Sequence, residues 1–495
     1  MLLQTLVSAP ESWAKKKVVP DCPKREFRGA WIQCVNGQYL GKNTAEIQRM
    51  LGTQLDVLQH AGINAIIFQV RAEGDALYRS KYEPWSRFLT GKQGVSPSDG
   101  WDPLHWMVEQ CHQRGMECHA WINPYRAKTK GTTQLASNHI AMQHPEQVFP
   151  YDGMLIMNPA LESNRIYTCM VVQDIIQRYD VDGIHMDDYF YPYPVSGGII
   201  PDQDLYETTH HGSQTLEDWR RENVNKLVEK LHKLIHKEKP WVKFGISPFG
   251  IYRHSSSGEN DKEGSATRGL TNYNDLYADV VQWQKKGWVD YLIPQVYWNL
   301  GNKMADYEVL CHWWNDYCSE RPLFIGQDVE RTVKGTDPDN PAIHQMEAKY
   351  RIQRNLPHIQ GSCQWYAAAV VDNPGNYLTM LERRYHRYPA LQPLMPFIDK
   401  KKPKKPANIH IIKTQRGPAL IWDAPKHKDE LDRARNYVVY SFEHGEKIDL
   451  DDASHIEAIT PGTMFLLKKD YSSCTIVITS LDRLHNESKG KKIKL

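Results

Sequence analysis

Between residues 25 and 390 the chain repeats one pattern eight times: a short apolar run, then a stretch of helical periodicity. The runs are Arg28–Cys34, Ala65–Arg71, Glu117–Pro124, Gly183–Phe190, Lys243–Gly250, Tyr291–Trp298, Leu323–Val329 and Gly361–Ala368. Helix-period segments lie between them, among them Ala45–His60, Pro103–Arg114, Ile166–Tyr179, Thr215–Lys237 and Asp275–Lys286. An unbroken series of strand-then-helix units predicts a parallel sheet, and eight units predict that the sheet closes into a (β/α)8 TIM-type barrel. Helix-to-strand joints such as Ala61-Gly-Ile-Asn64 and Asp180-Val-Asp182 are short, whereas the strand-to-helix loops 72–102, 125–163, 191–214 and 251–274 are long. Long loops in a compact domain are usually functional, and all of these fall on the rim where barrel enzymes place their sites.

After Tyr388-Pro389 the pattern stops. A Pro/Lys stretch ending in Lys400-Lys-Lys-Pro-Lys-Lys-Pro406 cannot pack as a helix or a central strand. Beyond it, the alternating runs Ile409–Lys413, Ala419–Trp422, Tyr437–Phe442 and Thr475–Thr479 are separated by turn residues and predict a small all-β sandwich. Its Ile-Trp, Tyr-Val-Val-Tyr and Ile-Val-Ile-Thr-Ser runs resemble a fibronectin type III module, which implies an accessory domain without chemistry. The expected division is a tail over 1–24, the barrel over 25–392, a linker over 393–406 and the sandwich over 407–495. With 61 basic and 59 acidic residues the net charge is +2, so no global attraction to nucleic acid is expected. No apolar run approaches the roughly 20 residues of a transmembrane helix. The nine cysteines form no Cys-x-x-Cys and read as buried free thiols. The start, Met1-Leu-Leu-Gln-Thr-Leu-Val-Ser-Ala9, lacks a basic segment and fits either an export-signal remnant or a loose tail. A monomer is the expected state.

Side chains alternate along a strand, so parity assigns which of them face the barrel interior. It places Trp31 and Gln33 there from the first strand, Gln69 and Arg71 from the second, and His119, Trp121 and Asn123 from the third. His185 and Asp187 follow from the fourth, with Tyr189 at the lip, then Ser247 from the fifth and Gln295, Tyr297 and Asn299 from the sixth. Gln327 is assigned inward on the seventh and Gln364 and Tyr366 on the eighth. Barrel interiors are normally filled by Val, Ile and Leu. A mouth lined by amides, aromatics, an Arg and an Asp must recognise something polar, since an unpaired buried amide costs about 1–3 kcal/mol. Sugars, with hydroxyls around a flat ring face, fit that lining.

Asp187-Asp188 is the sharpest chemical feature. Asp187 is the inward carboxylate, and Asp188 reaches the site only if the chain bends after the strand. Glycoside hydrolysis generally uses two carboxyl groups, an acid and a nucleophile or base. Partners for Asp187 are Asp188, then Asp75 and Glu73 on the loop after the second strand, and Asp328 or Glu330 at the end of the seventh. Asp328 takes the helix-facing parity. No metal or cofactor is expected: His185 and His119 beside Asp187 lack a companion His-x-His or His-Glu-x-x-His motif. No Gly-rich phosphate loop follows the last two strands either.

Several ordered motifs carry a family resemblance. They include Phe68-Gln-Val-Arg-Ala-Glu-Gly-Asp-Ala-Leu-Tyr78, Ala120-Trp-Ile-Asn-Pro-Tyr-Arg126, Gly183-Ile-His-Met-Asp-Asp-Tyr-Phe-Tyr-Pro192, Gly245-Ile-Ser-Pro-Phe-Gly250 and Asp290-Tyr-Leu-Ile-Pro-Gln-Val-Tyr-Trp298. Together they resemble the glycosyl-hydrolase-like family 10 of bacterial envelope proteins over about residues 25–390. That resemblance implies hydrolysis of glycosidic bonds, peptidoglycan glycan strands as the polysaccharide, and a cell-envelope location. The α-amylase-like pattern Gly-Phe-Arg-x-Asp is similar to Gly183-Ile-His-Met-Asp187 and implies a nucleophile or base role for Asp187. The amylase acid, a Glu ending the fifth strand, has no counterpart in Gly245-Ile-Ser-Pro-Phe-Gly250. On this reading Asp188, ahead of Asp75, supplies the acid. Arg71, Asn123, Gln295 and Gln327 position the sugar, with His185 beside them. Trp121, Tyr125, Tyr189, Tyr297 and Trp298 shape the subsites, and Arg71 and Arg126 suit a carboxylate-bearing sugar. The rival expectation is a degenerate barrel that binds glycan without cutting it.

Overall fold

A computed structural model describes residues 22–495, so the expected tail and the apolar start lie almost wholly outside the described residues. Eight parallel strands close into a barrel: β1 (Phe27–Ile32), β2 (Ala65–Arg71), β3 (Glu117–Ile122), β4 (Gly183–Met186), β5 (Lys243–Ile246), β6 (Tyr291–Leu292), β7 (Leu323–Asp328) and β8 (Ile359–Trp365). Each pairs with its sequence neighbours, and β1 pairs with β8 through Gly29 opposite Cys363. The main helices are α1 (Thr44–His60), α2 (Pro103–Gln113), α3 (Glu162–Arg178), α4 (Leu216–Glu238), α5 (Val280–Lys286), α6 (Tyr307–Tyr317) and α7 (Met346–Asn355). Their starts are written in the sequence. Asn43 and Glu46 form a reciprocal capping box on α1, Asp102 caps α2 ahead of Pro103, and Thr215 caps α4. The helix expected over 275–286 is broken. Tyr277 sits at φ +53°, and Asp279 then caps α5 by accepting the Gln282 N–H.

The barrel holds two apolar layers. Strand residues such as Ile66, Phe68, Ile122 and Ile184 pack outward under the helices. Inside, Phe27, Trp31, Ile67, Trp121, Tyr291, Ile293, Phe324 and Cys363 fill the lumen, with Met395 closing its lower end. Aromatic rings fit there because neighbouring strands offer glycine: a Cβ on Gly245 would lie 1.9 Å from the Tyr291 ring, and one on Gly183 would lie 2.6 Å from His119. Alternating small and large residues is how a narrow barrel is filled.

The long loop after β3 carries regular structure of its own, a three-stranded antiparallel flap over Arg126–Lys128, Val148–Tyr151 and Met154–Met157. After the Pro/Lys stretch, seven strands form two antiparallel sheets: β9 (Ala407–Thr414), β10 (Gly417–Asp423), β11 (Asn436–Glu443), β12 (Ile456–Thr460), β13 (Met464–Leu466), β14 (Cys474–Leu481) and β15 (Lys491–Lys494). The orders are β9-β10-β13 and β12-β11-β14-β15. Leu420, Trp422, Tyr437, Val439, Ile476 and Ile478 pack between the two sheets. Val438, Tyr440, Phe442 and Val477, on the opposite face of the larger sheet, pack with Leu391 from the end of the barrel. Both faces of β11 are therefore buried, which explains why its sequence is apolar without alternation.

Candidate active site

Asp187 follows β4 by one residue at the C-terminal mouth. Its carboxylate accepts the Trp121 indole N–H at 3.0 Å and the Asn123 amide at 3.2 and 3.3 Å on its two oxygens. Asn123 is itself fixed, because its Oδ1 accepts the backbone N–H groups of Tyr125 at 3.2 Å and Arg126 at 2.8 Å. One amide thus turns the chain out of β3 and shares a donor between the two oxygens of Asp187. The residue is 4 % exposed. Burial pushes its carboxyl up to about 7, with Asp188 adding to the rise and Arg126, Trp121 and Asn123 opposing it.

Asp188 does turn into the same region. Its carboxylate accepts the Tyr193 hydroxyl and a hydrogen bond from Gln295, and burial raises its pKa against both. Gln295 is anchored in turn by donating to the Ser247 carbonyl at 2.9 Å. The Arg126 guanidinium lies 4.0 Å from the centre of the Tyr189 ring and favours ionisation of both carboxyls. A wall continues outward from it: Tyr189 stacks on Tyr193 at 5.3 Å, Tyr193 meets Phe249 edge-on, and Phe249 meets Trp298. Tyr189 is the most open of these at 37 %. On the other side, Tyr297, Trp31, Trp121 and Trp365 surround the mouth, each ring centre within 6.5 Å of another. Tyr125 is buried beside the flap. Between Tyr125, Arg126, Tyr189, Tyr193, Met154 and Val195 lies a cavity of ≈ 420 Å³.

Four parity assignments are corrected. The β2–β3 register slips between Gln69 and Arg71, two residues facing one, so Arg71 turns to the helix side. There it is fully buried, bonded at 2.7–2.9 Å to Glu83 and also to the Asn123 carbonyl, and it offers no free donor fork to a sugar. On β7 it is Phe324 that fills the lumen, so Gln327 faces the helices and Asp328 shares the side of Trp365, opposite to expectation. Asp328 is half-buried, its pKa raised by burial, and it caps the helix that follows by accepting the Arg331 N–H at 2.9 Å. On β8, Cys363 and Trp365 face inward, while Gln364 turns outward to the Tyr377 hydroxyl at 2.6 Å.

Asp75 is engaged within its own loop. It is fully buried in the loop after β2, accepting the Glu73 N–H at 3.2 Å and the Gln93 amide at 3.5 Å. Burial and Glu73 raise its carboxyl to about 7. Glu73 ties this loop to the next through Arg87, Thr129 and Thr132. Glu330 is exposed and accepts the Tyr366 hydroxyl at 3.2 Å.

His185 lies beneath Asp187 in a chain of hydrogen bonds along the barrel axis. His119 Nε2 meets Glu117 at 2.9 Å, so His119 Nδ1 accepts the Tyr291 hydroxyl at 2.7 Å. The Tyr291 oxygen then accepts from His185 Nδ1 at 3.1 Å, leaving His185 Nε2 to accept from Ser247 at 3.0 Å and from Trp31 at 3.4 Å. Burial, with His119 beside it, holds His185 neutral. Its ring is 0 % exposed and all its nitrogens are engaged, so it positions the floor and does not touch a ligand. Sequence reasoning missed Trp365, Tyr193 and Lys349. The last is a buried ammonium bound to the Trp298 carbonyl at 2.9 Å, lowered by burial to about 8.

The profile of the family described as "Glycosyl hydrolase-like 10" matches residues 26–340. The chain belongs to this family. It is 36 % identical over 482 residues to "Glycosyl hydrolase YngK" of Bacillus subtilis (strain 168), covering 94 % of this chain and 93 % of that one. It is 34 % identical over 332 residues to "Glycosyl hydrolase DigH" of Escherichia coli (strain K12), covering 64 % of this chain and 74 % of that one. Among solved structures, the PgaB (BpsB) glycoside hydrolase domain from Bordetella bronchiseptica matches 74 % of this chain and 100 % of its own. Its TM-score is 0.44 and its identity 10 %. In this glycosyl hydrolase-like 10 protein, the family match covers β1 to β7 and therefore Asp187, Asp188 and the residues that hold them.

Proposed function

We propose that the protein is a glycoside hydrolase of the cell envelope that cuts peptidoglycan glycan strands. Asp187 acts as nucleophile or base, and Asp188 as acid. The observation that carries this reading is the Asp187 carboxylate, held on both oxygens by Trp121 and Asn123 beside a second carboxyl and an arginine. Hydrogen bonds from fixed N–H groups favour the ionised form and aim it, as a nucleophile or base requires. Burial raises both carboxyls, and Asp188, which lacks the paired indole and amide donors that aim Asp187, takes the proton-donor role. Arg126 suits a carboxylate-bearing sugar, and the cavity beside it, walled by Met154, Tyr189 and Val195, suits an apolar substituent such as an acetyl methyl. The three-plus-four strand order of the C-terminal sandwich supports the fibronectin type III reading. No cofactor enters the reaction as proposed, and the polysaccharide is the sole partner it needs.

The burial of both carboxyls, 4 % and 1 % exposed, is the observation that favours the rival, a binder without turnover. Incubating the protein with peptide-free glycan strands and reading products by mass spectrometry separates the two. The wild type is expected to release fragments, and Asp187→Asn to lose on the order of 10³-fold or more in rate while still binding strands. Intact strands that are bound by wild type would establish the binder. Cleavage by Asp187→Asn at the wild-type rate would remove Asp187 from the chemistry.

A further inference from the structure

At the opposite end of the barrel from Asp187, three side chains converge that the proposed hydrolysis does not use. His232 and His236 are one turn apart near the end of α4, so they share a face. Asp290, directly before β6, faces both. Its Oδ2 lies 2.9 Å from His236 Nε2 and its Oδ1 3.7 Å from His232 Nε2. Among the described residues this is the one group of three His, Cys, Asp or Glu side chains whose donor atoms all lie within 4.8 Å of one another. We propose that His232, His236 and Asp290 form a binding site for a zinc-like divalent cation at the N-terminal end of the barrel.

The spacing suits the ion. Tetrahedral zinc with ligand bonds of about 2.0–2.1 Å holds its donor atoms roughly 3.3 Å apart. Each histidine Nε2 lies near one Asp290 oxygen, at 2.9 and 3.7 Å, and the donor atoms all lie within 4.8 Å of one another, so side-chain rotations that draw them together close the shell. The second shell is in place as well. His236 Nδ1 donates to the Pro240 carbonyl at 3.0 Å, which in the neutral ring leaves the Nε2 lone pair aimed at the Asp290 carboxylate. Two electron-rich atoms at that distance need a cation between them, either a proton or a metal. A ligating histidine typically gives its other N–H to a carbonyl in this way. Asp290 is fixed by accepting the Phe244 N–H at 2.7 Å, and its side chain is 1 % exposed. The histidine side chains are 24 % and 19 % exposed, which leaves a solvent-side position for a water ligand and a route of entry. Two imidazoles and one carboxylate select zinc and its neighbours over magnesium or calcium, which take oxygen donors. Bound there, the ion would join the end of α4 to β5 and β6.

The test uses the full chain, stripped with EDTA and desalted. The chain has 21 histidines, so binding has to be assigned by variant. Titration with Co²⁺ is expected to give a visible d–d band saturating at one ion per chain, displaced by Zn²⁺ and not by Mg²⁺, with Zn²⁺ raising the Tm. His232→Gln keeps the His236–Asp290 contact and therefore the fold, and is expected to weaken binding at least tenfold. His236→Gln is a second variant with the same expected loss. Absence of saturable binding by the wild type, displacement by Mg²⁺, or wild-type affinity in both variants would overturn the site.

Discussion

At Asp187 two forces oppose each other, and the balance has a measurable sign. The Trp121 and Asn123 donors stabilise the carboxylate, but removal from water outweighs them and the group rises from 3.8 to about 7. A carboxyl raised in the fold stays protonated where the unfolded chain has already ionised. Its contribution to stability therefore falls as pH rises from about 4 to about 7, and is level above that. Three pH units bound the effect at roughly 4 kcal/mol. Asn at this position does not titrate. The stability of Asp187→Asn relative to wild type is therefore expected to improve between pH 4.5 and 8 in urea denaturation, whatever its offset at any one pH. A difference independent of pH would mean that Asp187 ionises freely in the fold. The same carboxyl sets the rate profile. As nucleophile or base it must be ionised, so kcat/KM on glycan strands is expected to fall below about pH 7. A fall above pH 7 instead would assign Asp187 the acid role.

Among the elements, the strands matter through which of their faces turns inward. The axial chain from Glu117 through His119, Tyr291 and His185 exists because β3, β4 and β6 present those groups to one lumen, and Gly245 on β5 makes room for the Tyr291 ring. Tyr291→Phe keeps the ring and removes the hydroxyl between two buried imidazoles, with an expected cost of about 1–3 kcal/mol for each group left unpaired. Gly245→Ala forces the ring itself to move, and overpacking of this kind costs typically about 1–3 kcal/mol, occasionally more. Thermal unfolding of both variants checks the order, with Tyr291→Phe expected to be at least as damaging because it strands two imidazole nitrogens. The eight strand positions and most helices were legible because apolar periodicity and caps are local signals. The inward placement of Trp31, His119, Trp121, Asn123, His185, Asp187, Ser247 and Tyr297 was legible too, since strict alternation declares a side. Arg71, Gln327, Asp328 and Gln364 were not. A bulge in β2 reverses parity with no sequence marker. On β7 and β8, buried on both sides, Leu323-Phe-Ile-Gly-Gln-Asp328 and Gly361-Ser-Cys-Gln-Trp365 carry no alternation to read. Asp188 depended on a bend that no residue type dictates.

In the whole molecule the C-terminal sandwich is part of the barrel's closed end rather than a tethered appendage. Arg483 and Arg435 reach Asp180 at 2.9 and 3.0 Å, and Leu391 packs into the outer face of the larger sheet. His485, on the turn after β14, meets Glu117 at 3.1 Å inside the base of the barrel. Glu117 also accepts Lys243 and His119, so one carboxylate joins two barrel strands, the axial chain and the sandwich. Burial opposes its charge, yet Lys243, His119 and His485 together hold it well below the usual carboxylate range. Removing one member of such a buried set leaves the others charged and unpaired, which costs about 3–5 kcal/mol, whereas replacing the set by apolar groups is often neutral. Glu117→Gln is therefore expected to lower unfolding stability by about that amount. Adding Lys243→Met is expected to recover most of the loss, because it removes the stranded ammonium. Far-UV circular dichroism and tryptophan fluorescence in urea are expected to report a single coincident transition for wild type, because barrel and sandwich share buried contacts. Two separated transitions in wild type would mean that the sandwich docks without coupling. A Glu117→Gln midpoint indistinguishable from wild type would mean that Glu117 is not the joint the contacts describe.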